Sequence, residues 1–146
     1  MKIAGVVAVL VALVLSTGCG SPAGTSVGRV TYEVSGGITG WDRILTVEPD
    51  GSFTVNVVRG PAPAAGDRKV DATVLRRLHE LVSAPAFERL EAAYLPGPGG
   101  ADLQDYVVTA EVTGKTIQKM SRDGAEVPAN LREVQGILNG ILSSSA

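Results

Sequence analysis

The sequence is poor in the side chains that most catalytic and metal sites use. Its 146 residues include one cysteine and one histidine, and only 4% of them are aromatic. One residue of each kind cannot supply the usual nitrogen and sulfur ligands of a zinc site. Few aromatic rings leave little surface on which bases or sugars could stack. We therefore expect no metal, no other cofactor and no enzymatic activity.

The chain also lacks an excess of charge. Charged residues make up 19% of it, and its formal net charge is −2. Binding to nucleic acid requires a basic patch or stripe, and none is visible in the sequence, so we expect no nucleic-acid partner. The glycine-rich loops that bind nucleotide phosphates are absent as well.

Two patterns only partly match catalytic motifs. His79 and Glu80 begin the zinc-peptidase pattern His-Glu-x-x-His, but the second histidine is replaced by Ser83. This favours a histidine at the edge of the apolar face of a helix, and no Gly-x-Ser-x-Gly turn supports a Ser-His-Asp site. Asp102 and Asp105 lie near the start of a predicted strand, which favours capping or solvation over a pair of catalytic carboxylates.

The apolar residues are concentrated at the amino terminus. Lys2 precedes an apolar stretch over residues 3–15, and small residues follow at positions 16–18. This order is typical of a secretory signal peptide, which we assign to residues 1–18. The stretch is shorter than the roughly 20 residues that a membrane-spanning helix needs.

Cys19 follows directly after Ser-Thr-Gly and resembles the lipidated cysteine of bacterial lipoproteins. Ser16 stands where that motif usually has leucine. We expect cleavage before Cys19, a lipid on this cysteine, and attachment to the outer face of the cytoplasmic membrane, with secretion as the alternative. Residues 19–27 are rich in glycine, serine and proline, which predicts a flexible tether.

Residues 28–146 show the periodicities of a single domain. Strands are predicted where apolar and polar residues alternate, and helices where apolar residues recur at helical spacing after Asp71 and Pro128. The predicted strands are Arg29–Ser35, Trp41–Glu48, Phe53–Val57, Tyr106–Val112 and Ile117–Met120. The order βββ-α-ββ-α predicts an α+β fold, with an antiparallel sheet of about five strands and two helices on one face. We expect a monomer.

The most informative segment is a glycine-rich hairpin turn. It consists of Ser35, Gly36, Gly37, Ile38, Thr39, Gly40 and Trp41. The glycines are expected to supply positive φ values, which alone would describe an ordinary long turn. Ile38, however, occupies a position where a polar residue is usual, and the only tryptophan follows. An apolar side chain at the tip of a rigid loop suits insertion into a pocket of a partner.

The segment VTYEVSGGITG at residues 30–40 resembles the opening strand and Ser-Gly-Gly-x-x-Gly turn of the emfourin-like protealysin inhibitors. These small bacterial proteins block thermolysin-like metallopeptidases. The similarity continues in order through the Leu75–Leu81 helix, the strand entry at residues 101–108 and the helix with Leu131. It covers roughly residues 29–143, although family members are often cytoplasmic and this chain carries an export signal.

The resemblance implies an inhibitor that brings no metal and places a loop across the peptidase cleft. Ile38 would enter the pocket just beyond the scissile position, which accepts leucine, isoleucine or phenylalanine in thermolysin-like enzymes. Gly36, Gly37 and Gly40 would hold the loop, and Trp41 would support it. The alternative is a cell-envelope lipoprotein with a structural or ligand-binding role. A third hypothesis, a secreted hydrolase, would require a serine and an aspartate beside His79.

Overall fold

A computed structural model describes residues 24–61 and 68–144. The predicted signal peptide, Cys19 and most of the tether therefore lie outside the described residues. The described chain has the predicted α+β fold, in which one sheet of six strands packs against three helices. None of these helices is long and apolar enough to cross a membrane.

The sheet contains one strand more than the sequence predicts. Its strands are β1 Val27–Gly36, β2 Trp41–Val47, β3 Phe53–Arg59, β4 Ala93–Tyr94, β5 Gln104–Val112 and β6 Lys115–Arg122, in the spatial order β3-β2-β1-β5-β6-β4. The five predicted strands pair antiparallel. The additional strand, β4, pairs parallel with β6 and makes the sheet mixed. Its two residues are too few to show any periodicity.

Two of the helices are those predicted, and the third is short. Helix α1 spans Ala72–Ser83, α2 spans Pro85–Glu88 and α3 spans Ala129–Ser143. Asp71 caps α1, as predicted, by accepting hydrogen bonds from the backbone N–H groups of Thr73 and Val74. Pro85 ends α1 but also begins α2, because proline fits the first turn of a helix. The helix predicted after Pro128 is α3, which begins at Ala129 with Pro128 as its N-cap.

The alternation predicted for the first strand places its apolar side on the helices. Val30, Tyr32 and Val34 are buried in the core, and the residues between them lie on the opposite face of the sheet. Leu78 of α1, Phe87 of α2 and the apolar stripe of α3 pack into the same core. The α3 members of the core are Leu131, Val134, Leu138, Ile141 and Leu142.

The strand directions give the sheet two distinct ends. We call the end with the β1–β2 turn the distal end; β3, β4 and β6 also finish there, and β5 begins there. The opposite, basal end is where β1 begins at Val27. A strand rises about 3.3 Å per residue, so the ten residues of β1 separate the ends by roughly 30 Å. The tether therefore joins the domain far from the glycine-rich turn.

Candidate functional site

The glycine-rich turn closes the β1–β2 hairpin at the distal end. Gly36 and Trp41 are partners across the hairpin, and the N–H of Gly40 donates to the carbonyl of Gly37 over 2.9 Å. Residues 37–40 thus form a β-turn. Gly36, Gly37 and Gly40 have φ values of +83°, +71° and +59°. The sequence predicted this left-handed backbone, which costs glycine little.

Ile38 occupies the tip of this turn and is the most exposed large apolar side chain of the described residues. Its exposed fraction is 88%. Thr39 beside it is also exposed, whereas Ser35 lies half-buried within β1. A side chain this exposed contributes little to burial of apolar surface. Ile38 therefore has no evident role in folding.

Trp41 lies at the foot of the turn. The guanidinium of Arg43 is 4.2 Å from the centre of the indole ring, a distance that allows a cation–π interaction. A Cβ atom added at Gly60 would lie 3.2 Å from the ring, so the absence of a side chain there lets the backbone approach the indole. Trp41 is still 39% exposed. Trp41, which was predicted to support the turn, thus packs between the Arg43 guanidinium and the backbone of Gly60.

A second loop fixes the position of the turn. The N–H of Gly37 donates to the carbonyl of Leu103 over 3.1 Å. A Cβ atom at Gly36 would lie only 2.9 Å from the same oxygen, closer than real Cβ contacts, so this position requires glycine. The connection between β4 and β5 is thereby joined to the turn. Sequence reasoning missed this contact because its partners are distant along the chain.

Asp123 anchors the segment that carries Leu103. One carboxylate oxygen accepts a hydrogen bond from the backbone N–H of Gln104 over 3.1 Å, and the other accepts from the Tyr106 hydroxyl over 2.8 Å. The N–H of Asp123 donates to the carbonyl of Gln104 over 2.9 Å. The pKa of Tyr106 is raised to about 12. Burial is the largest cause, followed by the hydrogen bond from its hydroxyl to Asp123 and by the charge of Asp123. Three loops therefore meet at the distal end through direct hydrogen bonds.

Asp102 and Asp105, the two carboxylates considered as a catalytic pair, also lie at this end. Asp105 accepts two hydrogen bonds from Arg122, over 2.6 and 2.9 Å. This guanidinium lowers the pKa of Asp105 below its usual range, whereas a general acid of a glycosidase needs a raised pKa. Asp102 is exposed in the loop and has a φ of +58°. The structure thus gives these two side chains different environments.

Exposed apolar side chains are concentrated at the distal end. The large exposed apolar residues of the described chain are Ile38, Trp41, Val58, Val74 and Leu95. All except Val74 belong to segments at this end, since Val58 precedes the last residue of β3 and Leu95 follows β4 directly. Val58 and Leu95 lie at opposite edges of the sheet, because β3 and β4 are its two edge strands. The sequence did not indicate Val58 or Leu95, because exposure depends on the tertiary structure.

His79 lies away from this surface, in a basal groove of about 400 Å³ that Ser83 and Thr25 also line. Its Nε2 atom is buried without a hydrogen-bond partner, and burial lowers the pKa of its imidazole. The Ser83 hydroxyl donates to the carbonyl of Glu80 over 3.4 Å. The hydrogen bond from serine to histidine that activates a nucleophile is therefore not formed here. Within residues 24–61 and 68–144, no histidines, cysteines or carboxylates group as metal ligands.

The chain matches no protein-family model, and no curated protein is significantly similar to it. The resemblance to the emfourin-like inhibitors therefore depends only on the residues of this chain that carry it.

Proposed function

We propose that the protein is an exported inhibitor of thermolysin-like zinc metallopeptidases and that it inserts the β1–β2 turn into the peptidase cleft. The exposure of Ile38 at the tip of a hydrogen-bonded turn carries this proposal. An isoleucine that does not serve the core is available to fill an apolar pocket of another protein. The resemblance of the Val30–Gly40 segment to the emfourin-like turn supports the choice of target.

The backbone of the turn is suited to tight binding. Hydrogen bonds on both sides of Ile38, from Gly40 to Gly37 and from Gly37 to Leu103, hold the tip in one conformation. A loop that is ordered before binding loses less conformational entropy when it binds. Trp41, Val58 and Leu95 add apolar surface at the same end. The proposed complex therefore has a central anchor and further apolar contacts around it.

In the proposed complex the inhibitor supplies no ligand to the zinc ion. A catalytic zinc site keeps an open position for water and substrate. The turn occupies the cleft beside this position, with Ile38 in the pocket just beyond the scissile bond. Inhibition then results from exclusion of the substrate, and it requires equal amounts of inhibitor and enzyme.

We also propose that a lipid on Cys19 holds the protein at the outer face of the cytoplasmic membrane. The described chain enters the domain at the basal end, and Ile38 lies at the distal end. An anchor before the tether would leave the turn facing away from its attachment. A monomer presents the turn completely, so no second copy of the chain is needed.

A structural or ligand-binding role in the cell envelope is the second candidate, and the uncovered face of the sheet favours it. Glu33 lies in the middle of this face, with Ile44 and Val107 as its cross-strand neighbours and Met120 next to Val107. All four residues are half-buried. This row could contact a partner without any involvement of the turn.

Titration against a thermolysin-like peptidase separates the two functions. We expect the wild-type protein to abolish peptidase activity at equimolar concentration. Ile38→Asp should weaken inhibition on the order of 30-fold or more, because it places a charge in an apolar pocket at the centre of the interface. Val74→Asp is the matched control: Val74 is another exposed apolar residue, but it lies on α1, and its substitution should leave inhibition unchanged.

The results that contradict the proposal are equally specific. Equal inhibition by the wild type and Ile38→Asp would exclude Ile38 as the anchor. A folded wild-type protein that inhibits no thermolysin-like peptidase would favour the structural or ligand-binding role instead.

A further inference from the structure

The hydrogen bonds of the turn affect whether a bound peptidase can hydrolyse the Gly37–Ile38 peptide bond. We infer that they keep this bond from being hydrolysed by the peptidase that the turn occupies, so that loss of the Leu103 contact converts the inhibitor into a substrate. The inference rests on the proposed function. It concerns a cleavage site and the groups that protect it.

The position of Ile38 identifies the bond at risk. If its side chain fills the pocket just beyond the scissile position, the bond that precedes Ile38 lies at the zinc ion. Hydrolysis would add one water molecule across Gly37–Ile38. The water oxygen would bond to the carbonyl carbon of Gly37, the C–N bond would break, and the amine of Ile38 would take a proton. The products are a chain ending in the Gly37 carboxylate and a chain beginning with Ile38.

The carbonyl of Gly37 is already engaged within the turn. It accepts the N–H of Gly40 over 2.9 Å. A zinc peptidase polarises the scissile carbonyl with its metal and attacks it with an activated water. This hydrogen bond holds the Gly37 carbonyl across the turn and limits the directions from which a metal and a water can reach it, so opening of the turn would ease the attack.

The N–H of Gly37 is also held, and this contact controls the opening. It donates to the carbonyl of Leu103 over 3.1 Å, and Gly36 allows the close approach of the two segments. Asp123 holds Gln104, the residue after Leu103. Its carboxylate accepts from the N–H of Gln104, and its own N–H donates to the carbonyl of Gln104. Leu103, Gln104 and Asp123 therefore act as positioning residues for the turn and do not contact the enzyme in this mechanism.

Gly36→Ala is the variant that tests this inference. Its Cβ atom would lie 2.9 Å from the Leu103 oxygen, at a φ of +83°, so the Leu103 segment must move away. Gly97→Ala is the matched control, because Gly97 belongs to the same connection and a Cβ atom there has nothing within 4 Å. Each full-length protein is incubated with a thermolysin-like peptidase, and mass spectrometry measures the intact chain and the fragments.

We expect the wild type and Gly97→Ala to stay intact. Gly36→Ala should be cut between Gly37 and Ile38 at a rate on the order of tenfold higher or more, which corresponds to the loss of one hydrogen bond. Its inhibition should fade as the cut product accumulates. Asp123→Ala provides a second variant, because it removes the carboxylate that accepts the Gln104 N–H and the Tyr106 hydroxyl. The backbone hydrogen bond from residue 123 to the Gln104 carbonyl stays, so the Leu103 segment is loosened without a change in the turn itself, and this variant should also be cut at the same bond.

Three outcomes would overturn the inference. In the first, the wild type is cut at Gly37–Ile38 as fast as Gly36→Ala. In the second, Gly36→Ala and Asp123→Ala are both folded and remain intact. In the third, both variants are cut only at other bonds. Circular dichroism of each variant establishes that it is folded, and Asp123→Ala decides the matter if Gly36→Ala does not fold. Failure of the proposed function is a separate result, seen as a wild type that leaves peptidase activity unchanged.

Discussion

Individual glycines of the β1–β2 turn differ in what their surroundings require. Gly36, Gly37 and Gly40 all have positive φ values, so each is favoured by its backbone conformation. At Gly36 a contact also requires glycine, because a Cβ atom there would lie 2.9 Å from the Leu103 carbonyl oxygen. At Gly40 the nearest atom would be 3.8 Å away, in the side chain of Arg59. Residues that look equivalent in the sequence therefore have unequal tolerance to substitution.

The stacked pair of Tyr32 and Tyr106 gives a prediction for alkaline pH. Burial is the largest cause of a raised pKa at both tyrosines. Unfolded tyrosine releases its proton near pH 10, whereas folded Tyr106 holds it to about pH 12. The stabilisation is thus complete below pH 10 and is lost as the pH rises through the folded pKa values. Urea unfolding at increasing alkaline pH should show this loss.

Phenolate absorbance during alkaline titration checks the assignment to Tyr106. The difference between the wild type and Tyr106→Phe isolates the contribution of this one hydroxyl. A difference curve with its midpoint near pH 10, the value of an unperturbed tyrosine, would contradict the prediction.

Helix α3 combines an apolar stripe toward the core with two glycines on its outer side. Glycine weakens a helix and is tolerated where it allows a close approach of two segments, so Gly136 and Gly140 could have served close packing. A Cβ atom at either position would have nothing within 4 Å, so close packing is not found among the described residues. The two glycines instead line an open groove of about 390 Å³ together with Val74 and Ile137. They lower helix propensity without a compensating contact in the domain.

Gly136→Ala and Gly140→Ala are therefore expected to stabilise the domain. Each should raise the free energy of unfolding by roughly 0.5–1 kcal/mol, the difference in helix propensity between glycine and alanine. Gly51→Ala is the contrasting control and should destabilise, because Gly51 has a φ of +86° and its Cβ atom would lie 3.0 Å from Leu75. Urea unfolding curves measure all three. A lower free energy of unfolding for both helical variants would contradict this prediction.

In the proposed function, attachment and recognition would use opposite ends of the molecule. Residue 24, where the described chain begins, leads into β1 at the basal end, and Ile38 is exposed at the distal end. The two ends are joined by a sheet whose core side is closed by the helices. Changes at the anchor should therefore have little effect on the turn, and changes at the turn should have little effect on localisation.

Cys19→Ala tests this separation. The variant should move from the membrane fraction to the soluble exported fraction, because the site of lipid attachment is lost. Its inhibition of a thermolysin-like peptidase should equal that of the wild type. Fractionation and mass spectrometry of the mature amino terminus provide the measurements. An unmodified Cys19 in the wild type, or a Cys19→Ala protein that stays with the membrane, would contradict the proposed anchor.

Much of the fold was determined by patterns that act over a few neighbouring residues. Alternation of apolar residues predicted five of the strands, Asp71 predicted the start of α1, and the glycines predicted the positive φ values of the β1–β2 turn. These features follow from side-chain periodicity and backbone sterics, which are local. They also selected Ile38, although its function as an anchor remains a proposal.

Only the tertiary structure decided which distant segments meet at the distal end. It brought the Leu103 carbonyl to Gly37 and left Val58 and Leu95 exposed at the same end of the sheet. It also buried Lys119 at a core-facing position, where its ammonium donates to two backbone carbonyls. No local pattern encodes such contacts, because they arise when strand order and register place residues far apart in the chain side by side. The sequence by itself thus determined five strands, the two long helices and the turn, and tertiary packing determined β4, which forms by pairing with β6, and the surface around the turn.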